Sequence, residues 1–432
     1  MVYRFRYNSL KVIAAVFACT FVFISCGKSL SSDNILQLKR LTNSNTGPYL
    51  LQTDHLDLID SLRLDSSQLS LEFNRLITGA DSLLNVSFSY VTEKPKLPPS
   101  GDPHDYMSIH RYAYPDSTGA YTDLIDGRTN PEFYEYDKPK LERISAAVYS
   151  LSLAYYFTKD EKYALKASTE LKNWFLNPGT RMNPNMNFSS IQWGVHEKPG
   201  GSGIVGALDF IDMIESASLL YDSPHWTADQ HFKLKEWFFE FYIWLHNNYP
   251  PQSYGGSNVS TWLDAQRVIY LLFTEQENHL NSSTHIEPVS QRIGGQFESN
   301  GGLPREASRA IPQHYVYFNL KAYMYLSLLR KNHYLKTGDD RDWPVLKDCA
   351  TADCTYGGLK AALDNVASYI QGANKATLFN SDPGFNSCRY LEIFRPAATA
   401  FESAEYEQVV NYLVEQNHCR NSNILLAFPA PL

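Results

Sequence analysis

Apolar residues recur at intervals of three and four along most of this chain. Over Lys140–Phe157 they fall at Leu141, Ile144, Val148, Leu151 and Tyr155. Over Glu161–Phe175 they fall at Tyr163, Leu165, Ala167, Leu171 and Trp174. That spacing places them on one face of a helix. Leu208–Tyr221, Ala228–Asn247, Thr261–Phe273 and His314–Leu329 follow the same rule. Between these runs stand clusters that interrupt helices: Asn177-Pro178-Gly179, Pro199–Gly203, Pro250–Gly256 and Gly294–Pro304. Strand patterning is weak, and Val86–Thr92 is the best short candidate. Long helices alternating with Gly/Pro loops predict an all-α domain built of helical hairpins. No sequence repeat is evident, so any ring symmetry lies in the structure alone.

The N-terminus reads differently. Arg4, Arg6 and Lys11 precede an apolar run, Val12–Ile24, which is short for a membrane span. The run ends in Phe23-Ile24-Ser25-Cys26, followed by Gly27, and this resembles a lipoprotein processing site. It predicts a signal peptide over residues 1–25, a lipid on Cys26, and a polar tether over residues 26–50. The folded domain would then span 51–432, anchored in the periplasm, at the outer membrane or at the cell surface.

The formal net charge is −8, and losing residues 1–25 removes three basic residues and no acidic one. An acidic chain of this kind is a poor general partner for nucleic acid. A polyanionic ligand would need a local basic cleft. Beyond Cys26 lie Cys349, Cys354, Cys388 and Cys419. An even count in an exported chain permits two disulfides in any of three pairings, and Cys349 with Cys354 could clip a loop. A zinc site is the weaker reading, because short paired knuckles are lacking.

The densest chemistry is in Gly301–Leu320, GGLPREASRAIPQHYVYFNL, which collects Arg305, Glu306, Arg309, His314 and Tyr315. A cation beside a tyrosine favours its phenolate. Such a tyrosine can exchange protons with a substrate whose acid group the arginines hold.

Several blocks occur in an order that resembles the alginate lyase family. Lys94–Tyr114, KPKLPPSGDPHDYMSIHRYAY, is similar to the family's KPxLPPSGDKHDYMS block. Asp126-Gly127 and Asn130-Pro131-Glu132 follow. Trp174–Asn187, WFLNPGTRMNPNMN, is similar to WFLxPxTxMNPNL, and Ser257–Gln266, SNVSTWLDAQ, to NNHGTWYDVQ. Pro304–Leu320 resembles PxELxRTxSxHYSxFNL. The resemblance implies an α/α toroid, an incomplete barrel of helix hairpins with loops over a groove. It also implies β-elimination on a uronate polymer without metal or redox cofactor. By the same resemblance Tyr315 is the acid/base, Asn258 donates to the substrate carboxylate, and Arg309 binds acid or lowers the tyrosine's pKa. His104, Tyr106, Trp262, Arg305, Glu306 and His314 are the expected substrate contacts, with a salt bridge from Glu306 to Arg309 as an alternative role.

Where the family pattern has a histidine this chain has Val259, and valine neither donates nor accepts a proton. Ser257, Ser260 and Leu263 depart as well. These changes imply a different substrate, another residue in the histidine's role, with His104 the first choice, or lost activity. A sugar-binding lipoprotein that keeps the groove therefore stands beside the lyase. A glycoside hydrolase ranks below both. It would need two suitably spaced carboxylates from among Asp102, Asp105, Glu132, Asp264 and Glu306.

Overall fold

The computed structural model describes residues 41, 45–197, 203–352, 354–372 and 379–431. The signal segment, Cys26 and most of the tether lie outside the described residues, as do Lys198 and the first part of the glycine-rich loop after it.

Helices dominate. The first seven are α1 (Thr53–Leu62), α2 (Ser67–Leu83), α3 (Asp137–Thr158), α4 (Glu161–Phe175), α5 (Phe210–Leu219), α6 (Ala228–Asn248) and α7 (Asn258–Phe273). Then come α8 (Val289–Gln296), the short turn α9 (Pro304–Ala307) and the long α10 (Pro312–Thr337). The last five are α11 (Trp343–Thr351), α12 (Leu359–Ile370), α13 (Leu391–Phe401), α14 (Ala404–Glu415) and α15 (Ser422–Leu425). Helices α3 and α4, α6 and α7, and α13 and α14 pack as hairpins, and the set forms an α/α toroid.

Local chemistry sets the boundaries. Lys159 takes a left-handed conformation after α3, and the Asp160 side chain then caps α4 by accepting from the Lys162 N–H. Thr227 and Gln230 form a reciprocal capping box at the start of α6. Pro312 opens α10, where a missing N–H costs nothing, and left-handed Gly338 closes it. Leu165 is the one outlier of the α4 pattern and stays exposed.

Helix α7 is buried on nearly every side, Asp264, Gln266 and Arg267 included. It packs along α10, and the Trp262 indole N–H donates to the Phe318 carbonyl.

Two small sheets interrupt the helices. β1 (Met107–Ile109) pairs in parallel with β4 (Phe188–Ile191), and β2 (Ala113–Tyr114) pairs antiparallel with β3 (Asp123–Leu124). Around them gathers a second apolar cluster that includes Met107, Ile109, Phe133, Tyr136, Ile191 and Trp193. The turns of this lobe carry Tyr112 and Asp126 to the start of α10.

Val86–Thr92 forms no strand. Its backbone finds helix side chains instead of a neighbouring strand. Lys166 donates to the Val86 carbonyl and Lys140 reaches the Tyr90 carbonyl. The proposed tether also ends earlier than residue 50. Tyr49, Leu50 and Leu51 are buried, and all three donate their backbone N–H groups to the Glu215 carboxylate. Asn332 donates to the carbonyls of Tyr49 and Leu50. The docked chain therefore begins by Asn45, whose carbonyl accepts from Lys235. The cysteines join as Cys349–Cys354 and Cys388–Cys419.

Candidate functional site

The loop from α9 into α10 brings Arg309 onto Tyr315. Its guanidinium donates to the Tyr315 hydroxyl at 2.6 Å and lies 3.7 Å from the ring centre. From the small β lobe the Tyr112 hydroxyl meets the Tyr315 hydroxyl at 2.8 Å. Asp126, just after β3, grips Arg309 with both carboxylate oxygens at 3.0 and 2.6 Å and accepts from the Ala310 N–H. Tyr315 is thus held by Arg309 of its own segment and by Tyr112 from the distant β lobe, and only 7% of it is exposed.

The cation does not lower this phenol's pKa as the sequence suggests. Burial pushes it above its ordinary value, the bond to Tyr112 adds to the rise, and Arg309 opposes both without prevailing. Arg309 is itself paired, and Asp126 is held below the usual carboxylate range by that pairing. The resting group is a neutral phenol placed between a guanidinium donor and a second hydroxyl.

His314 precedes Tyr315 in the first turn of α10. Adjacent helical residues ordinarily face apart, yet these two rings meet edge-on with centres 5.2 Å apart. His314 also stacks on Phe318 and shares a 3.1 Å contact between its Nδ1 and Arg389. Burial, with Arg389, Arg111 and Arg309 nearby, lowers its pKa to about 4, so the imidazole is neutral at physiological pH. Of those three arginines, Arg309 is paired with Asp126 and Arg111 lies 3.6 Å from Glu142.

Asn258 begins α7 and is tied to Glu306. Glu306 accepts the Asn258 backbone N–H at 2.7 Å and its side-chain amide at 2.7 Å. Both residues are buried. Burial raises the Glu306 pKa, and the two bonds from Asn258 oppose the rise. The expected Glu306–Arg309 salt bridge is not formed; Arg309 takes Asp126 as its acid partner. Glu306 links Asn258 to the Arg309–Tyr315 pair, because its carbonyl also accepts the Arg309 backbone N–H.

Other expected contacts fall elsewhere. Tyr106 is 1% exposed and Trp262 is fully buried, so neither can touch a polymer. Trp262 packs against Phe318 and Tyr325 and ties α7 to α10. His104 donates from Nδ1 to the Arg181 carbonyl at 2.6 Å, which orders its loop. Beside it Asp105 accepts from Asn183 and Asn185, stitching two of the sequence blocks together. Arg305 is exposed and lines a cavity of about 260 Å³. The acids considered for hydrolysis are engaged: Asp264 by Arg292, Asp102 by Asn183, and Glu132 by Tyr121 and Tyr136.

Sequence reasoning missed Tyr112, Arg111 and Arg389 and gave Asp126 no role. Tyr112 stands inside a quoted block, and Asp126 opens another. Their common destination is a property of the tertiary fold. Among the described residues no group of three or more His, Cys, Asp or Glu gathers as a metal site.

Known proteins share this fold. A crystal structure of an alginate lyase from Bacteroides ovatus superposes with a TM-score of 0.76 at 26% identity, covering 88% of this chain and 98% of that one. Alginate lyase A1-III from Sphingomonas species A1 matches at 13% identity, over 77% of this chain and 88% of its own, with a TM-score of 0.45. No curated protein matches the chain. The alginate lyase family pattern matches residues 90–342, which is more than half of the sequence. The chain therefore belongs to the alginate lyase family.

Proposed function

We propose that this protein is a polysaccharide lyase that cleaves a uronate-containing polymer, alginate or a polymannuronate among them, by β-elimination without a metal. The observation that carries this is the hydrogen-bonded series Arg309–Tyr315–Tyr112. The proton on C5 of a uronate lies α to the carboxylate and becomes acidic when that carboxylate is neutralised. Arg309 is half-buried and faces the phenol, so an incoming carboxylate competes with Asp126 for it. Arg111 and Arg389 add positive charge beside neutral His314.

The Tyr315–Tyr112 pair needs to lose only one proton between them. The oxygen left with the charge takes the C5 proton. The C4–O4 bond breaks as the C4–C5 double bond forms, and the same proton passes to O4 of the leaving chain. Atoms and charge balance with no added reactant. Incubation with a panel of uronate polymers tests this, because the unsaturated product absorbs in the ultraviolet. Absorbance should rise with the parent protein and not with Tyr315→Phe.

Val259 and the engaged Asn258 amide favour a second reading, a binding protein that keeps the groove and has lost turnover. Tight binding of the same polymers with no absorbance change would select it. In either case we propose export and a lipid anchor at Cys26. Cys26→Ser should release the protein from membranes, and unchanged retention would reject the anchor.

A further inference from the structure

Beside Asn258 the family pattern has a histidine, and this chain has Val259, which has no proton to give. His104 and His314 do not make up for it. Both stand where the family pattern also has histidine, and His104 is committed to the Arg181 carbonyl. His110 is different. It lies two residues past the first family block, in the turn between β1 and β2.

That turn is fixed from both sides. The His110 N–H donates to the Ile191 carbonyl of β4 at 2.8 Å, and its carbonyl accepts from the Ala113 N–H at 3.1 Å. The imidazole folds back over the turn, where its Nδ1 accepts the Tyr112 backbone N–H at 3.3 Å. A backbone N–H can only donate, so Nδ1 is the bare nitrogen. In a neutral imidazole the proton then sits on Nε2. Burial holds the ring's pKa below its ordinary value, which keeps it neutral at physiological pH. The residue is half-buried, and its Nε2 has no hydrogen-bond partner among the described residues.

Direct contacts set its place beside the tyrosines. The His110 ring meets the Tyr112 ring edge-on with centres 6.2 Å apart, and the Tyr112 hydroxyl meets the Tyr315 hydroxyl at 2.8 Å. The tyrosine pair is therefore flanked by two imidazoles, His314 against Tyr315 and His110 against Tyr112.

We propose that His110 is a catalytic residue of this site, whose Nε2–H donates to the carboxylate of the reacting uronate in place of the histidine that Val259 replaces. The proposal rests on the lyase reading and adds the group that meets the developing charge. As the C5 proton leaves, negative charge spreads onto the carboxylate oxygens, and a fixed donor there stabilises the transition state. A neutral imidazole donates without giving its proton up. Its Nδ1 meanwhile keeps the Tyr112 backbone in place.

Substitution separates the two nitrogens. His110→Asn retains an acceptor near Nδ1 for the Tyr112 N–H and loses the outer donor. His110→Gln reaches as far as Nε2 and keeps a donor there, without the inner acceptor. Each full-length variant is assayed on uronate polymers by the ultraviolet absorbance of the product, beside its thermal melt. His110→Asn should lower kcat by about 10²-fold, as for loss of one such donor. Its KM should stay within about threefold of the parent's, because the donor acts where charge develops. His110→Gln should retain at least about a tenth of the parent rate. Parent-like turnover in His110→Asn would overturn the proposal. A larger loss in His110→Gln than in His110→Asn would also overturn it, leaving His110 only its hold on Tyr112. Ring-nitrogen NMR of the parent is a check that needs no variant to fold. It should find His110 protonated on Nε2 at neutral pH, and a proton on Nδ1 would reject the assignment. A parent that cleaves no uronate polymer would end the lyase reading and the assignment together, whereas turnover that survives His110→Asn ends the assignment alone.

Discussion

Two sequence blocks resemble the same family, yet they do different things in the fold. Ser257–Gln266 becomes the start of α7, and almost all of it is buried. Asn258 ends on Glu306, Trp262 on α10, and Asp264 on Arg292. Pro304–Tyr315 is a loop and a first helical turn, and it turns Arg305, Arg309 and His314 toward polar surroundings. The first block fixes where the second one sits. A motif can thus record a packing constraint as faithfully as a chemical one, and burial separates the two.

The largest expected effect lies in the second block. Tyr315→Phe keeps the ring under Arg309 and removes only the hydroxyl. Proton transfer by a placed group contributes on the order of 10²–10⁴ in rate. Turnover should fall by about 10³ or more, with an unchanged thermal melt. Full activity would end the proposed mechanism and the contrast between the blocks.

Glu306 joins the two blocks and tests the opposite expectation. Glu306→Ala strands the Asn258 N–H and amide in a buried place. Two unsatisfied donors cost about 2–4 kcal/mol together. Denaturant unfolding should show that loss, and activity should fall as the start of α7 loosens. A stable Glu306→Ala protein with no turnover would instead make Glu306 a chemical residue.

Asp126→Asn sharpens the electrostatics of the second block alone. Tyr315 is raised above its ordinary value of 10, first by burial, and Asp126 contributes to that rise. A base whose pKa is raised is mostly protonated at neutral pH, so kcat/KM should climb as pH increases. Removing the Asp126 charge lowers the phenol's pKa and leaves Arg309 unpaired. The alkaline limb should move to lower pH. An unmoved limb would mean that Tyr315 is not the group whose ionisation limits the rate.

These contrasts explain what the sequence made legible. Helical spacing located α3, α4, α6 and α10 because each buries a continuous apolar face. The Gly/Pro clusters marked the ends of α4 and α6 and the approach to α10. Arg309 and Tyr315 were legible because they lie six residues apart in one segment. Tyr112 and Asp126 were not, since their contacts with Tyr315 and Arg309 span about two hundred positions and depend on how the β lobe docks. The direction of the phenol's shift was misread for a related reason. A charge is visible in a sequence, whereas burial and the partner that neutralises the charge are not. Tyr106 and Trp262 illustrate the same gap, because aromatic residues in a matched block looked like sugar contacts and proved to be core.

The smallest expected effect concerns Val259, and it tests the scaffold block most directly. Val259→His restores the residue type that the family pattern carries there. If the start of α7 were chemical in this chain, a new imidazole donor would act where charge develops and would raise the rate steeply, since one such donor can be worth about 10²–10³. The geometry argues otherwise. Val259 packs partly against the core, and the Asn258 amide beside it is committed to Glu306. Meanwhile Arg309, Arg111 and Arg389 already surround the neutral His314 next to the phenol. Positive charge is therefore not what the site lacks. Val259→His should change kcat/KM by less than about threefold, which is under ~0.7 kcal/mol of transition-state free energy. It should also lower the melting temperature slightly, because a polar ring replaces an apolar isopropyl group against the core. A tenfold gain would show that the α7 block still carries chemistry in this protein, with Asn258 released from Glu306 when substrate binds.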